Sequence, residues 1–178
     1  PCGTLFPYTT LFPSEEIKEI LNEYRKEPLG EGWLPVTVFC DKCSKDTIKK
    51  IEWKGNYSLY YECACFHSEE FDFREKGIAK LRWRVDWPMR WSYEDVHFEP
   101  GGKDHSSVGG SFDTGRKICE RVWGKKAPTY IMYDFIRIKG GAGKISSSSG
   151  DVVTLNDCLE IYEPEILRYL FAGTRPNT

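Results

Sequence analysis

The rhythm of apolar and polar positions changes several times along the chain, and each change predicts an element. From Ser14, acids fill a first helical turn and Ile17, Ile20, Leu21 and Tyr24 share one face; Ser14 can cap this helix, and Pro28 and Gly30 stop it. Leu34 to Phe39 reads as a strand, Tyr57 to Glu62 as another, and Glu70 to Phe73 as a short third. In Lys80 to Trp91, Trp83, Val85 and Trp87 alternate with Arg82, Arg84 and Asp86, which predicts a strand with one buried face. The same interleaving of basic and aromatic residues can stack bases or shape a polar pocket. Val96 and Phe98 predict a short strand, and Ser111 to Trp123 a helix with Ile118 and Val122 inward and Gly124 as its stop. Tyr130 to Ile138, β-branched and aromatic, predicts a core strand. Thr154 and Pro164 start two short helices, the second using Ile166, Leu167, Leu170 and Phe171.

The order strand, Gly-rich turn, helix, strand is a βαβ unit. It predicts an α/β fold whose parallel strands present ligands at their carboxyl ends. The turn itself, Glu99 to Gly115, reads E-P-G-G-K-D-H-S-S-V-G-G-S-F-D-T-G. Its glycines let backbone approach a ligand, and the helix that follows favours phosphate or carboxylate at its N-terminus. An ordinary loop is the bland alternative.

Size and composition narrow the reading. A chain of 178 residues, 40% hydrophobic and 29% charged, suits one ordinary domain with room for a small insert. No apolar run approaches the roughly 20 residues that would span a membrane. A net charge of -2 gives no global attraction to nucleic acid, so RNA contacts require a local patch. Four of the seven cysteines form two tight pairs, Cys40/Cys43 and Cys63/Cys65, which favour metal over disulfides and a reducing, cytoplasmic setting. Two pairs on two turns with strands between have the spacing of a zinc knuckle, and soft thiolates suit tetrahedral zinc. The second pair is C-x-C, tighter than usual, and His67 is an alternative fourth ligand in place of Cys63. A site closed by four protein ligands makes the zinc structural. Cys119 and Cys158 read as small buried hydrophobes within helices.

Gly140 to Gly150, G-G-A-G-K-I-S-S-S-S-G, is a Ser/Gly loop with one lysine among hydroxyls, suited to a triphosphate at the end of a strand. Residues 1–13 fit neither period. T-L-F-P-Y-T-T-L-F within them matches the conceptual translation of a common sequencing-adapter primer, so 1–13 is read as an artefactual leader. Around Arg175 and Pro176 there is no domain end, and the chain is read as truncated at both ends.

The ordered set R-V-D-W-P-M-R-W, F-E-P-G-G-K-D-H, G-G-S-F-D-T-G, K-I-S-S-S-S-G and L-R-Y-L-F-A-G-T-R-P-N resembles the class I type of lysyl-tRNA synthetase. The resemblance implies a partial Rossmann-type parallel-sheet nucleotide-binding domain with a small β-rich zinc-knuckle insert. The implied organisation is a helix and linker at 14–33, the insert at 34–79, the second half of the catalytic domain at 80–153, and the start of a helical region at 154–178. It further implies lysine, ATP with Mg and tRNA(Lys) as substrates, a structural zinc at Cys40, Cys43, Cys63 and Cys65, and no membrane partner. The family's K-M-S-K-S loop maps onto Lys144, Ser146, Ser147 and Ser148, with Lys144 stabilising phosphate charge. Ser147 and Ser149 stand where related loops commonly carry a second lysine. Asp104, Gly109 and Gly110 map onto the ATP region. Trp83, Asp86, His105 and Tyr133 are candidates for lysine, whose buried ammonium needs a carboxylate and an aromatic wall. The family's H-I-G-H-type motif is absent, because His67, His97 and His105 lie in other contexts. The isolated chain is therefore expected to be inactive. A class I synthetase of other specificity and a non-catalytic zinc-knuckle RNA-binding module remain as alternatives.

Overall fold

A computed structural model describes residues 14–134 and 153–175. The predicted first helix is α1, Ser14–Asn22, which buries Ile17, Ile20 and Leu21. It ends two residues before Tyr24, where the Asn22 side chain accepts a hydrogen bond from the Leu29 N–H (2.8 Å) and closes the turn. Strand β1, Val36–Val38, then pairs antiparallel with β5, Ala79–Leu81. This short ribbon is the neck of the insert. Between its strands lies an antiparallel meander of β2 (Ile48–Gly55), β3 (Ser58–Cys63) and β4 (Ser68–Asp72). Gly55 and Asn56, both at positive φ, turn β2 into β3, a conformation that glycine and asparagine reach most readily.

Residues Trp83–Tyr93 form a helix, α2, which overturns the strand expected from the alternation of Trp83, Val85 and Trp87. Burial explains the difference. Val85, Trp87, Pro88 and Trp91 are the buried positions, a helical stripe set against the next helix, and a four-residue tryptophan spacing fits that stripe as well as it fits alternation. Asp86 and Arg90, one helical turn apart, form an ion pair at 2.8 Å, the i,i+4 spacing that a helix brings together.

Strand β6, Phe98–Gly102, a 3-10 turn at Lys103–His105, helix α3 (Ser111–Trp123) and strand β7 (Thr129–Tyr133) complete the expected βαβ unit. β6 and β7 pair in parallel, from Phe98 opposite Thr129 to Gly102 opposite Tyr133. Helix α3 ends at Gly124 in the left-handed conformation, as its sequence predicts. The described part of the expected core strand is not core: Ile131, Met132 and Tyr133 are each more than 40% exposed. Helices α4 (Leu155–Leu159), capped by Thr154, and α5 (Pro164–Gly173) follow. Of α5's apolar residues only Leu167 is buried, and Cys158 is half-buried rather than core.

One hydrophobic cluster joins Ile17 and Ile20 of α1, Val36 and Val38 of the neck, Leu59 and Tyr61 of the insert, Val85 and Ile118. A second gathers Trp87, Trp91 and Cys119 with Phe112 and Tyr130 packed on them. Gly115 lets α2 and α3 approach, since a Cβ there would stand 3.1 Å from the Trp91 ring. Among the described residues the structure is thus α/β, with one parallel pair and two antiparallel sheets.

Candidate functional site

The two cysteine pairs meet. The Sγ atoms of Cys40, Cys43, Cys63 and Cys65 all lie within 4.8 Å of one another, with Cys40–Cys65 at 3.6 Å and Cys43–Cys63 at 3.7 Å. Four thiolates about 2.3 Å from a tetrahedral zinc would stand roughly 3.8 Å apart, so the donor set fits such an ion. Each pair sits on a tight turn. Ser44 and Phe66, at positive φ, bend the chain so that the Ser44 N–H reaches Cys40 O (2.7 Å) and the Phe66 N–H reaches Cys63 O (3.0 Å). The backbone N–H of Cys65, with Thr47 and neighbouring thiols assisting, holds the Cys63 thiol down to about 6. Cys43 goes the other way, to about 11: the Lys45 N–H pulls it down, but burial and the three other sulfurs outweigh it. His67 is not part of the cluster; its Nε2 faces Glu69 at 3.7 Å.

Tyr61 supports the cluster from beneath, a role that the sequence reading missed. It is fully buried, accepts the Asp41 N–H at 3.0 Å, and donates to Glu69 at 3.4 Å. Burial pushes its phenol up to about 12, so it stays a donor. Lys76 completes the bracket by pairing with Asp41 (2.9 Å) and with Glu69. The alternation Leu59, Tyr61, Cys63 on the inward face of β3 is the signal that could have found Tyr61.

A second site forms at the carboxyl ends of the parallel pair. The Trp83 and Trp87 rings stack at 5.0 Å, and the His105 ring lies 5.7 Å from the first and 5.6 Å from the second. Trp83 is 48% exposed, which removes the reading of it as core. The neighbouring Trp91 donates its Nε1–H to Glu99 at 2.9 Å. Asp86 is occupied by Arg90, Asp104 stands 3.9 Å from His105 Nε2, and Tyr133 lies opposite Gly102 in register. Tyr130 fills the place of a side chain at Gly101 and bonds Ser106 at 2.6 Å, while Ser106 donates to Gly102 O. The structure therefore brings Trp83 and His105 into one wall and sets Tyr133 beside the strand end from which His105 emerges.

The loop that follows is held by the protein's own packing. Gly109 has φ 70° and an added Cβ would lie 2.6 Å from the Tyr24 ring; one at Gly110 would meet the Ser107 and His105 carbonyls at 2.6 and 2.7 Å. The Gly109 N–H donates to Asp113 at 3.0 Å and, with Arg116, holds that carboxyl below its usual value. Lys144, Ser146, Ser147 and Ser148 lie outside the described residues.

Between the neck, α1 and α2 opens a cleft of about 970 Å³ that Trp83 and Gly109 also line. Arg25, Lys80, Arg82, Arg84 and Arg90 face it against Asp46 and Asp86, so it is locally basic in a chain of net charge -2. No helix among the described residues is long and apolar enough to cross a membrane.

An α/β structure with a parallel pair of strands is consistent with what comparison to known proteins gives. Residues 8–178 match the family described as tRNA synthetases class I (K), and the chain belongs to that family. It is 53% identical over 164 residues to a lysine–tRNA ligase of Borreliella burgdorferi, covering 92% of this chain and 31% of that protein. It is 54% identical over 165 residues to one of Treponema pallidum (91% and 31%), and 47% identical over 167 residues to one of Pyrococcus horikoshii (92% and 32%). The chain thus spans about a third of the length of these curated relatives.

Proposed function

We propose that the chain supplies the zinc-knuckle insert and the second half of the Rossmann-type catalytic domain of a lysine–tRNA ligase. The Trp83–His105 wall at the ends of parallel strands carries this reading, together with the relatives that bear the ligase name. In the first step a carboxylate oxygen of lysine attacks the α-phosphorus of ATP, forming lysyl-adenylate and releasing pyrophosphate. In the second, a terminal ribose hydroxyl of tRNA(Lys) attacks the adenylate carbonyl and AMP leaves. Neither step needs a protein nucleophile, so this chain's residues position reactants and stabilise charge.

Trp83 and His105 form the wall for the lysine side chain, with Tyr133 beside them. Asp86 is the carboxylate closest to Trp83 in sequence on the same helix; its pairing with Arg90 means that the substrate ammonium competes with that cation. Asp104 and the backbone at Gly109 and Gly110 face ATP and its Mg, and Lys144 with Ser146, Ser147 and Ser148 holds the phosphates. The basic cleft suits the phosphates of the tRNA end. A zinc ion at Cys40, Cys43, Cys63 and Cys65 is structural, because four thiolates leave no position for a substrate. The setting is cytoplasmic, where free thiols persist.

The test is ATP–pyrophosphate exchange by the complete ligase that carries this sequence. Exchange should depend on lysine and be absent with glutamate or arginine, and Lys144→Ala should depress it far more than it weakens lysine binding. Exchange driven by another amino acid, or RNA binding with no exchange at all, would replace this reading with one of the alternatives.

A further inference from the structure

The geometry points to Arg84 as a positioning residue that joins the two halves of the Trp83–His105 wall; the inference rests on the proposed site. Arg84 sits in the first turn of α2, next to Trp83, and its Nη1 reaches across to the Gly109 carbonyl at 2.7 Å and to Thr114 Oγ1 at 3.3 Å. Thr114 is fully buried and donates to the Gly110 carbonyl at 2.9 Å, so its hydroxyl relays the guanidinium into the base of the loop. On the other side of the same residue, the Gly109 N–H is held by Asp113, and Tyr24 closes the face of Gly109.

This grip extends to His105. The Gly110 N–H bonds Ser107 O at 2.7 Å, and the Ser107 and His105 carbonyls lie so close to Gly110 that an added Cβ would meet them at 2.6 and 2.7 Å. A shift of Gly109 therefore carries His105 with it. One guanidinium thus spans α2, which bears Trp83, and the loop, which bears His105. It sets the 5.7 Å separation of their rings. Arg84 is itself exposed, and its bonds add little to global stability. Their consequence is geometric. A planar fork can address a carbonyl and a hydroxyl together, whereas a lysine ammonium on a flexible stem holds one at a time.

The test compares wild type, Arg84→Lys and Arg84→Met in the complete ligase, reading steady-state exchange and amide hydrogen exchange across residues 105–113. Arg84→Met should raise the KM for lysine by about tenfold to a hundredfold, the scale of an ångström-level misplacement, and the KM for ATP should rise with it, because the loop that carries His105 also carries the Gly109 and Gly110 backbone assigned to ATP. Arg84→Lys should recover part of that loss, and protection of the Gly109 and Gly110 amides should fall in Arg84→Met while that of Ile118 and Cys119 persists. An active wild type with unchanged lysine KM in Arg84→Met overturns the inference and leaves the site reading intact. A raised lysine KM with no recovery by Arg84→Lys and with the Gly109 and Gly110 amides fully protected in Arg84→Met also overturns it. If wild type shows no lysine-dependent exchange, the site reading fails instead. The amide protection then decides: its loss in Arg84→Met upholds the clamp, and its retention removes it.

Discussion

The cysteine cluster and the Trp83–His105 wall are built in opposite ways. Every sulfur of the cluster, and the Tyr61, Glu69 and Lys76 bracket beneath it, comes from one stretch between β1 and β5. The wall draws Trp83 from α2 and His105 from the loop after β6, and it depends on Tyr24 from the turn after α1, Asp113 from α3 and Tyr130 from β7. A site made of neighbours can be closed by a single ion that ties short loops together. A site made of distant elements is stabilised only by the packing of the whole domain. The first should fail abruptly and locally, the second by degrees.

Metal removal should have the largest effect. Structural zinc sites contribute roughly 10 to 16 kcal/mol of apparent binding free energy at neutral pH. Chelation, or Cys43→Ser, should therefore abolish amide protection over residues 40–76 while α2 and α3 keep theirs. Metal analysis should find one zinc per chain in the untreated protein, and a metal-free protein with a protected insert would break the contrast. Next comes Gly109→Ala, which forces a side chain into a positive-φ position against Tyr24; denaturant titration should show a loss of about 1 to 3 kcal/mol. Gly77→Ala, where an added Cβ meets nothing, should cost under about 0.5 kcal/mol by the same titration. Tyr61→Phe should cost about 1 to 2 kcal/mol, because it leaves the Asp41 N–H without its buried partner. That loss should appear as faster zinc release, not as a change in the aromatic wall.

The smallest effect concerns pH. The carboxyl of Asp113 is held below its ordinary value by the Gly109 N–H and Arg116, so its contribution is fully present above about pH 4, its unfolded range. It is lost only as pH falls through the depressed folded value. Intrinsic-rate-corrected exchange of the Gly109 amide should accordingly be flat between about pH 5 and 8 and rise in more acidic solution.

Legibility divides along the same line. The cysteine turns, helix α1, helix α3 with its Gly124 stop, and the parallel β6–β7 pair could be read from spacing and period, because local chemistry determines them. Helix α2 could not. Trp83, Val85 and Trp87 satisfy a two-residue period, and only packing on Gly115 of α3 selects the helical stripe that includes Pro88 and Trp91. The exposed faces of β7 and α5 were likewise hidden, since an apolar pattern says that a face seeks cover, not where cover lies. For the wall, the resemblance supplied Trp83 and His105, whereas Tyr24, Arg84 and the basic cleft depend on contacts between elements far apart in sequence. The two glycines assigned to ATP turned out to be required first by Tyr24 and by the loop's own carbonyls.

The central claim, that Trp83 and His105 form the lysine wall, is tested most directly by the KM for lysine in exchange assays of the complete ligase. With Trp83→Ala and, separately, His105→Ala, the KM should rise about tenfold or more for lysine and less than about twofold for ATP. An unchanged lysine KM in both variants, with the fold intact, would contradict it.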